Sequence, residues 1–254
     1  MTGFSLAGCT ALVTGASRGI GEAIALAYAA AGADVALLAR DSARLDDVAE
    51  RVRAQGRRAT VLTCDVTDPD AVRTAVAEAE RFLGQIDVLV NNAGGNSFSV
   101  PLSTMRPAGW EKTFRLNLDS VFHFCQAVVP QMVERRSGSV INVSSVAGLR
   151  GAPLMSHYGA AKAALISMTQ SLAVETGWAG VRVNALVPGW IETDLTDFLR
   201  HDGDTEKAVL GRVPMARWGQ AQEIADPAVF LASDASSFMT GQVLVIDGGL
   251  SAMP

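Results

Sequence analysis

The chain has 254 residues, a length that one α/β domain can hold. Apolar residues make up 49% of it and charged residues 19%, which is enough to build a large buried core. Its net charge of −5 provides no basic surface of the kind that binds nucleic acid or an anionic membrane, so we expect neither partner.

Short apolar runs alternate with longer amphipathic runs along the whole chain. The short runs predict strands at residues 10–14, 34–39, 59–64, 86–90, 139–143, 182–187 and 243–247. The longer runs predict helices at about residues 21–31, 42–56, 68–84, 107–136 (with possible breaks), 157–176 and 222–231, with residues 188–215 irregular. Ser42 and Asp68 are the expected N-caps of the second and third helices. Strands apolar on both faces predict one doubly wound domain, a parallel sheet covered by helices on both sides.

A glycine-rich turn, Thr-Gly-Ala-Ser-Arg-Gly-Ile-Gly at residues 14–21, lies between the first predicted strand and the first predicted helix. Glycines there let the backbone turn tightly and approach a pyrophosphate. The helix N-terminus adds free N–H donors and the positive end of the helix dipole. In this strand–turn–helix context, the turn predicts a dinucleotide site rather than a purely structural turn.

The charge after the second predicted strand bears on which dinucleotide binds. An acidic residue there would bind the adenosine ribose hydroxyls and repel a 2′-phosphate. This chain has Ala39 followed by Arg40, and Arg18 lies in the glycine turn. Two guanidinium groups near one phosphate favour NADP(H). Arg40 could instead lead into a solvated helix, so NAD(H) stays possible.

Tyr158 and Lys162 are four positions apart in a predicted helix, so their side chains point the same way. A neighbouring ammonium and the positive nicotinamide ring of an oxidised cofactor are expected to lower the pKa of the phenol. Tyr158 could then give a proton to a carbonyl oxygen as hydride arrives, or take one from an alcohol. The pair predicts acid–base chemistry on a carbonyl or an alcohol.

These motifs together resemble the short-chain dehydrogenase/reductase family, in its 3-oxoacyl reductase-like branch. The resemblance rests on T-G-x-x-x-G-x-G at residues 14–21, N-N-A-G at 91–94, the Tyr158/Lys162 pair, P-G-x-I-x-T at 188–193 and D-G-G at 247–249. It covers nearly the whole chain. It implies a single-domain Rossmann fold over residues 1–254, with about 188–215 as a substrate lid, and a homotetramer. The long helices expected at the subunit contacts carry apolar residues such as Val121, Phe122 and Val128.

The resemblance also implies a catalytic set. In it Tyr158 and Lys162 are joined by Ser145, which lies 13 positions before Tyr158 and hydrogen-bonds the substrate oxygen. Asn117 holds a water that links the lysine to solvent. Ser144 falls one position away and is expected to serve the strand end instead.

The cofactor-binding set implied by the resemblance is larger. Its glycines line the phosphates, Asp65 holds the adenine amino group, and Ile191 and Thr193 contact the nicotinamide carboxamide. Asn91 or Asn92 buttresses the sheet through backbone hydrogen bonds. Besides Tyr158 and Lys162 the set is Gly15, Ser17, Arg18, Gly19, Ile20, Gly21, Arg40, Asp65, Val66, Asn92, Ala93, Gly94, Pro188, Gly189, Ile191 and Thr193.

Three segments, residues 95–100, 147–155 and 190–215, should surround the nicotinamide. Their apolar side chains predict an apolar pocket for a medium-sized ketone or secondary alcohol, although about half are expected to anchor the lid instead. These side chains are Phe98, Leu149, Met155, Trp190, Leu195, Phe198 and Leu199. His157 could also face this pocket.

The substrate stays open at the level of sequence. Docking an acidic acyl carrier protein needs basic residues at the pocket mouth. Arg135 and Arg136 could supply them, but residues 175–180 contain none. A free ketone, sugar, steroid or acyl-CoA substrate therefore remains possible, with NADP(H) or NAD(H).

Two other classes of protein share part of this pattern. A non-catalytic NADP(H)-binding sensor would be expected to lack the tyrosine or the lysine, and both are present. Sugar-nucleotide epimerases and dehydratases share the pair, but they space the glycines differently and usually add a C-terminal substrate domain.

Cysteine usage and apolar runs bear on the compartment. The cysteines are odd in number and scattered, which predicts buried free thiols rather than a disulfide framework. They are Cys9, Cys64 and Cys125. No His, Cys and carboxylate pattern has metal-ligand spacing, so we expect no metal. The first basic residue is Arg18, so the charged start typical of a signal peptide is not expected. The apolar stretch at 23–39 is interrupted by glycine and aspartate, so we do not expect it to span a membrane. We therefore expect a cytoplasmic protein.

Overall fold

The strands carry apolar side chains on both faces because helices cover the sheet on both sides. The computed structural model describes residues 4–194, 196–201 and 203–253. Within these residues, seven strands form one parallel sheet in the order β3-β2-β1-β4-β5-β6-β7. They are β1 (Thr10–Thr14), β2 (Asp34–Ala39), β3 (Ala59–Thr63), β4 (Val88–Asn91), β5 (Gly138–Val143), β6 (Val181–Pro188) and β7 (Val243–Ile246).

The helices connect successive strands and pack on the two faces of the sheet. In the described ranges they are α1 (Gly19–Ala30), α2 (Ser42–Arg53), α3 (Pro69–Leu83), α4 (Pro107–Phe114), α5 (Ser120–Arg135), α6 (Ser156–Thr176), α7 (Asp197–Arg200), α8 (Gly203–Leu210) and α9 (Gln222–Ala232). A π-helical turn, Arg115–Asp119, joins α4 to α5. The predicted doubly wound parallel fold is confirmed, and each strand begins and ends within two residues of its predicted bounds.

Alternating side chains of a strand pack into two different hydrophobic cores, one on each face of the sheet. Val13 of β1 faces the core that includes Ile24 of α1 and Ile224 of α9. Leu12, its neighbour in the strand, faces the core that includes Phe124 of α5. This alternation follows from the two-residue period of a strand. It explains why a fully buried strand reads as an unbroken apolar run.

The strand order places a crevice at one edge of the sheet. β1 pairs with β2 on one side and with β4 on the other, so the chain reverses its direction of travel across the sheet there. Ligands of open α/β sheets bind at such a switch point, beyond the carboxyl ends of the strands. The ends of β1, β4, β5 and β6 therefore define where a site can form.

The N-cap predicted for α2 was wrong. Asp41, not Ser42, caps α2: its side chain accepts from the Arg44 N–H at 3.3 Å, and Ser42 is the first helical residue. Asp and Ser are both good caps, so the sequence did not settle which of the adjacent residues takes the position. At α3, Asp68 is the N-cap, as predicted, and accepts from Asp70 and Ala71.

The segment predicted as irregular, residues 188–215, contains helices α7 and α8. The signal for α8 is its charge order, with Asp204 and Glu206 in the first turn and Lys207 in the last, which suits the helix dipole. The predicted helix at 107–136 is interrupted by the π-helical turn. Among the described residues, no helix is long and apolar enough to cross a membrane.

Candidate active site

A cleft of about 900 Å³ opens at the carboxyl ends of the strands. Of the residues predicted to bind the cofactor, all but Gly21 line it, and so does Ser145 of the predicted catalytic set. Gly21 lies behind the cleft, where a Cβ atom would stand 2.2 Å from the carbonyl oxygen of Gly15. The fold thus gathers residues from position 15 to position 193 around one cavity.

The glycine turn forms the floor of the cleft. Gly15 has a φ of +66°, a backbone conformation that favours glycine. Arg18, the N-cap of α1, makes no side-chain capping bond, so the first N–H groups of this helix are not used by a cap. Free N–H groups at a helix N-terminus beside a glycine turn suit a phosphate group.

The segment after β4 ties the glycine turn to the sheet. The Asn92 side-chain amide donates to the carbonyls of Thr14 at 2.9 Å and Gly15 at 3.2 Å. The Thr14 hydroxyl accepts from the N–H groups of Asn92 at 2.9 Å and Ala93 at 3.0 Å. Asn91 instead donates to Asn142 at 2.9 Å inside the sheet. Asn92 therefore fixes the turn, and Asn91 braces the neighbouring strand.

Lys162 and Tyr158 lie on one face of α6 at the inner end of the cleft. The Lys162 ammonium donates to the carbonyl of Val143 at 2.8 Å and lies 5.8 Å from the centroid of the Tyr158 ring. Burial lowers the pKa of Lys162 to about 8. The lysine is thus held between the end of β5 and the phenol.

The pKa of Tyr158 is shifted in the direction opposite to the sequence-based expectation. Burial raises it, while a hydrogen bond with the Ser145 side chain acts to lower it. The expected lowering assumed an ammonium and a bound oxidised nicotinamide, but desolvation is the larger effect in the protein alone. Tyr158 is therefore a neutral phenol at neutral pH, with a proton to give.

The two serines after β5 have different surroundings. The Ser144 hydroxyl is buried and donates to the carbonyl of Lys162 at 2.8 Å, which ties β5 to α6. Ser145 lines the cleft as Ser144 does, but its side chain hydrogen-bonds with Tyr158, and its oxygen accepts from the Ala147 N–H at 3.2 Å. Ser145 rather than Ser144 is thus the serine beside the phenol.

Asn117 lies in the π-helical turn and does not line the cleft directly. Its side-chain oxygen accepts from the Gly95 N–H at 2.9 Å, and its amide donates to the carbonyls of Gly95 and Thr113, both at 3.0 Å. A Cβ atom on Gly94 would stand 2.8 Å from Oδ1 of Asn117 and 3.3 Å from Nζ of Lys162. Asn117 therefore holds the loop after β4 close to the lysine.

Several cleft residues were not predicted from the sequence. Arg44 of α2 and Asp194, after β6, line the cleft; Lys112 and Arg115 line it as well. Arg44 lies only four positions after Arg40, so the sequence could have indicated it as a second basic residue of the cleft. Asp194 is 150 positions from Arg44, and no local pattern connects them.

Among the described residues, none of the apolar side chains predicted to surround the substrate lines this cleft. Phe98 stacks on the buried ring of His157, with centroids 4.3 Å apart, and Trp190 packs edge-on against Trp218 at 6.1 Å. Leu149 is exposed. Leu195 and the side chain of Phe198 lie outside the described residues. Phe98 and Trp190 thus anchor loops around the cleft rather than line it.

The remaining candidate residues have structural surroundings. Arg135 donates to the carbonyl of Ile86, and the Arg136 guanidinium lies 5.7 Å from the centre of the Trp178 ring. Cys64 and Cys125 are buried and Cys9 is half-buried, all three as free thiols. Burial raises the pKa of Cys125 to about 12, so it is not a nucleophile at neutral pH. In the described part of the chain, no cluster could hold a metal ion.

Known proteins resemble this chain over almost its whole length. The model of the enoyl-(acyl carrier protein) reductase family matches residues 15–251. Gluconate 5-dehydrogenase of Gluconobacter oxydans is 41% identical over 248 residues, covering 98% of this chain and 96% of that protein. The 3-oxoacyl-[acyl-carrier-protein] reductase of Thermotoga maritima is 40% identical over 245 residues, covering 96% of this chain and 98% of that protein.

Solved structures match as closely. A gluconate 5-dehydrogenase from Burkholderia cenocepacia, in complex with NADP and tartrate, superposes with a TM-score of 0.94 at 38% identity, covering 99% of this chain and 98% of that one. A short-chain type dehydrogenase/reductase from Mycobacterium marinum superposes with the same TM-score, identity and coverage.

Proposed function

This chain belongs to the short-chain dehydrogenase/reductase family, whose members act on CH–OH or carbonyl groups, and we propose that it is an NADP(H)-dependent enzyme interconverting a ketone and a secondary alcohol. One observation carries the proposal. Three polar groups meet in the cleft that the glycine turn lines. They are the neutral phenol of Tyr158, the buried ammonium of Lys162 and the hydroxyl of Ser145.

The residues of the cleft fit a phosphorylated dinucleotide. The uncapped N–H groups of α1 suit its pyrophosphate, and Asp65 and Val66 line the side expected for adenine. No carboxylate ends β2, and Arg18 and Arg40 line the cleft near that strand, which favours a 2′-phosphate. When bound there, NADP(H) supplies or accepts a hydride at the nicotinamide ring. The related gluconate dehydrogenase structure was solved with NADP.

Tyr158 acts as the acid when a ketone is reduced. The Ser145 hydroxyl donates a hydrogen bond to the carbonyl oxygen and holds the ketone for attack. As hydride adds to the carbonyl carbon, the C=O π electrons move to oxygen, which takes the proton of the Tyr158 hydroxyl. The product is a secondary alcohol, and Tyr158 is left as a phenolate. In the oxidising direction, the phenolate takes the alcohol proton while hydride leaves the carbon.

Lys162 stabilises the phenolate through its positive charge. Its ammonium is fixed by the Val143 carbonyl at 2.8 Å, so the charge stays beside the ring. Asn117 positions this group: it holds Gly95, and the missing side chain at Gly94 lets the lysine and the asparagine approach one another.

We propose residues 188–215 as a lid over the substrate. Ile191 forms a bridge with Gly219, and Trp218 donates to Glu206 of α8 at 2.8 Å. Glu192 and Arg200 form an ion pair within the segment. The bridge and the hydrogen bond tie the start of the segment and α8 to residues 218–219, so the segment is anchored on the domain at both places.

We propose a free small-molecule substrate ahead of a carrier-bound thioester. The relatives include both a gluconate 5-dehydrogenase and a 3-oxoacyl-[acyl-carrier-protein] reductase. Of the two basic residues considered for carrier docking, Arg135 is engaged by the Ile86 carbonyl and Arg136 packs on Trp178. Residues 175–180 add no basic side chain, although Lys112 and Arg115 line the cleft itself. The 3-oxoacyl thioester is the second candidate.

A substrate panel tests the proposal. The purified chain is assayed with NADPH and with NADH against 5-ketogluconate, acetoacetyl-CoA and an apolar cyclic ketone. We expect NADPH oxidation with at least one ketone, and a kcat/KM for NADPH above that for NADH. Turnover with NADH alone would overturn the cofactor assignment. Binding of NADPH without turnover of any ketone or alcohol would favour the sensor alternative.

A further inference from the structure

Asp194 lies between two arginines at the adenosine side of the cleft. Its Oδ2 atom is 3.1 Å from Nη1 of Arg18 and 3.2 Å from Nη1 of Arg44. Arg18 belongs to the glycine turn and Arg44 to the first turn of α2, while Asp194 follows β6. One carboxylate oxygen therefore joins three separate elements across the opening of the cleft.

The three side chains form an anion site that the protein fills with its own carboxylate. The hydrogen bonds from Arg18 and Arg44 lower the pKa of Asp194, so it is ionised at neutral pH. All three side chains are more than half exposed, and exposed ion pairs contribute little to stability. A stronger anion that reaches the two guanidiniums can displace the carboxylate at little cost.

A nucleotide 2′-phosphate is such an anion. It carries nearly two negative charges at neutral pH and has three acceptor oxygens, against one charge and two oxygens for a carboxylate. Two guanidiniums that already converge on one oxygen are spaced to share a phosphate group. The charge of Arg40 acts on a different carboxylate, since it helps to lower the pKa of Asp65.

We propose that Arg44, together with Arg18, recognises the 2′-phosphate of the cofactor, and that Asp194 occupies the phosphate position until the nucleotide displaces it. The inference rests on the proposed function, since it refines how NADP(H) is selected. Asp194 then acts as a competitor that a 2′-phosphate must displace and that a nucleotide without this phosphate leaves in place.

Nucleotide binding by calorimetry tests the inference without turnover. The probes are adenosine 2′,5′-bisphosphate and 5′-AMP, each titrated into the full chain. We expect Arg44→Gln to weaken binding of the bisphosphate about tenfold, since it removes a charge-assisted hydrogen bond. Asp194→Asn should tighten the bisphosphate about threefold by removing the competitor. Binding of 5′-AMP should stay within about twofold for both variants, because this probe lacks the 2′-phosphate.

Two matched variants separate this inference from general effects of charge. Glu22 lines the neighbouring part of the cleft, but its partner is Arg51, so Glu22→Gln should not tighten the bisphosphate. Arg40→Gln should weaken the bisphosphate less than Arg44→Gln does. An unchanged affinity in Arg44→Gln, or equal tightening in Glu22→Gln and Asp194→Asn, would overturn the inference and leave the proposed function standing. If the unmodified chain bound neither probe, the proposed function would fall with it.

Discussion

The two tyrosines of the chain have opposite surroundings. The Tyr28 hydroxyl lies inside the domain and donates to the carbonyl of Ala228 at 3.1 Å. Tyr158 faces the cleft beside Ser145. The same substitution at each position therefore separates chemistry from stability.

Tyr158→Phe should lower kcat for ketone reduction by about 10²- to 10⁴-fold, the usual contribution of a positioned acid. NADPH binding should stay within about twofold, because the ring is retained. Tyr28→Phe should keep kcat and lower the free energy of unfolding by about 1 kcal/mol, the net value of one hydrogen bond. Steady-state kinetics, NADPH titration and denaturant unfolding measure these effects. Full activity in Tyr158→Phe would refute the mechanism.

The pKa of Lys162, lowered to about 8 by burial, predicts a pH dependence. The ammonium form stabilises the phenolate left by reduction. Below the pKa the lysine is charged and supports the reaction, and as pH rises through about 8 it loses its proton and this support. The kcat/KM for NADPH, which reports on the free enzyme, should therefore fall on the alkaline side. A flat profile from neutral to alkaline pH would contradict this assignment.

Adjacent serines provide another comparison at the residue scale. Ser145→Ala should lower kcat/KM for the ketone by about 10²-fold, because it removes a donor to the substrate oxygen. Ser144→Ala should leave kcat/KM within about threefold and cost about 1 kcal/mol of stability, since its hydroxyl donates to a backbone carbonyl. Equal losses of activity in the two variants would remove the distinction between them.

What the sequence could predict about single residues depended on distance along the chain. The spacing of Tyr158, Lys162 and Ser145 is local to two elements, and the fold brings them to one cleft. The pKa of Tyr158 was expected to fall, but desolvation raises it, and burial is not visible in a spacing. The contact of Asp194 with Arg18 and Arg44 joins residues 150 or more positions apart, which no local pattern predicts.

At the scale of elements, the strands were the most predictable features. Of the seven apolar runs, those of β1, β2, β4, β5 and β6 are buried almost throughout, and such runs are typical of a sheet covered on both faces. The positions at which helices are interrupted were harder to predict. The π-helical turn Arg115–Asp119 depends on the hydrogen bonds that Asn117 makes to Gly95, a residue from another part of the chain. Helix α8 was missed because its first turn follows directly on a segment without clear periodicity.

The close packing of α1 on the glycine turn yields a test of this element. A Cβ atom at Gly21 would lie 2.2 Å from the Gly15 carbonyl and 2.4 Å from the Asn92 amide. Gly21→Ala should therefore shift the helix, lower stability by about 1–3 kcal/mol and weaken NADPH binding. The control is Gly177→Ala, where φ is −58° and a Cβ meets nothing within 4 Å. It should unfold no more easily than the unmodified chain, by denaturant titration.

At the scale of the whole molecule, one arrangement explains where the site lies. Parallel strands bring all their carboxyl ends to one edge, so the glycine turn, the serines after β5 and the segment after β6 meet there although they are far apart in sequence. The opposite edge holds none of the cleft residues named above. The chemistry therefore depends on the strand order as much as on the residues.

The outer surface carries apolar side chains that a monomer would leave in water. Val174 of α6 is 84% exposed and Trp178, just after it, 67%. Phe122 of α5 and Phe238, before β7, are exposed too. Val121 and Val128, suggested with Phe122 as contact residues, are instead packed in the core and cannot join subunits. Helices α5 and α6 both contribute to the same core, and exposed apolar residues such as these are typical of an interface between subunits.

We therefore predict a homotetramer that uses the surface carrying Phe122, Val174 and Trp178. Light scattering of the unmodified chain should give four times the mass of one chain. Val174→Glu places a charge in the contact and should shift the mass to a dimer or monomer, because burying an unpaired carboxylate costs several kcal/mol at each copy. Phe82→Ser, on α3, removes an exposed apolar side chain elsewhere and should leave the mass unchanged. A monomer of the unmodified chain at micromolar concentration would contradict the prediction, and the exposed residues would then need another partner.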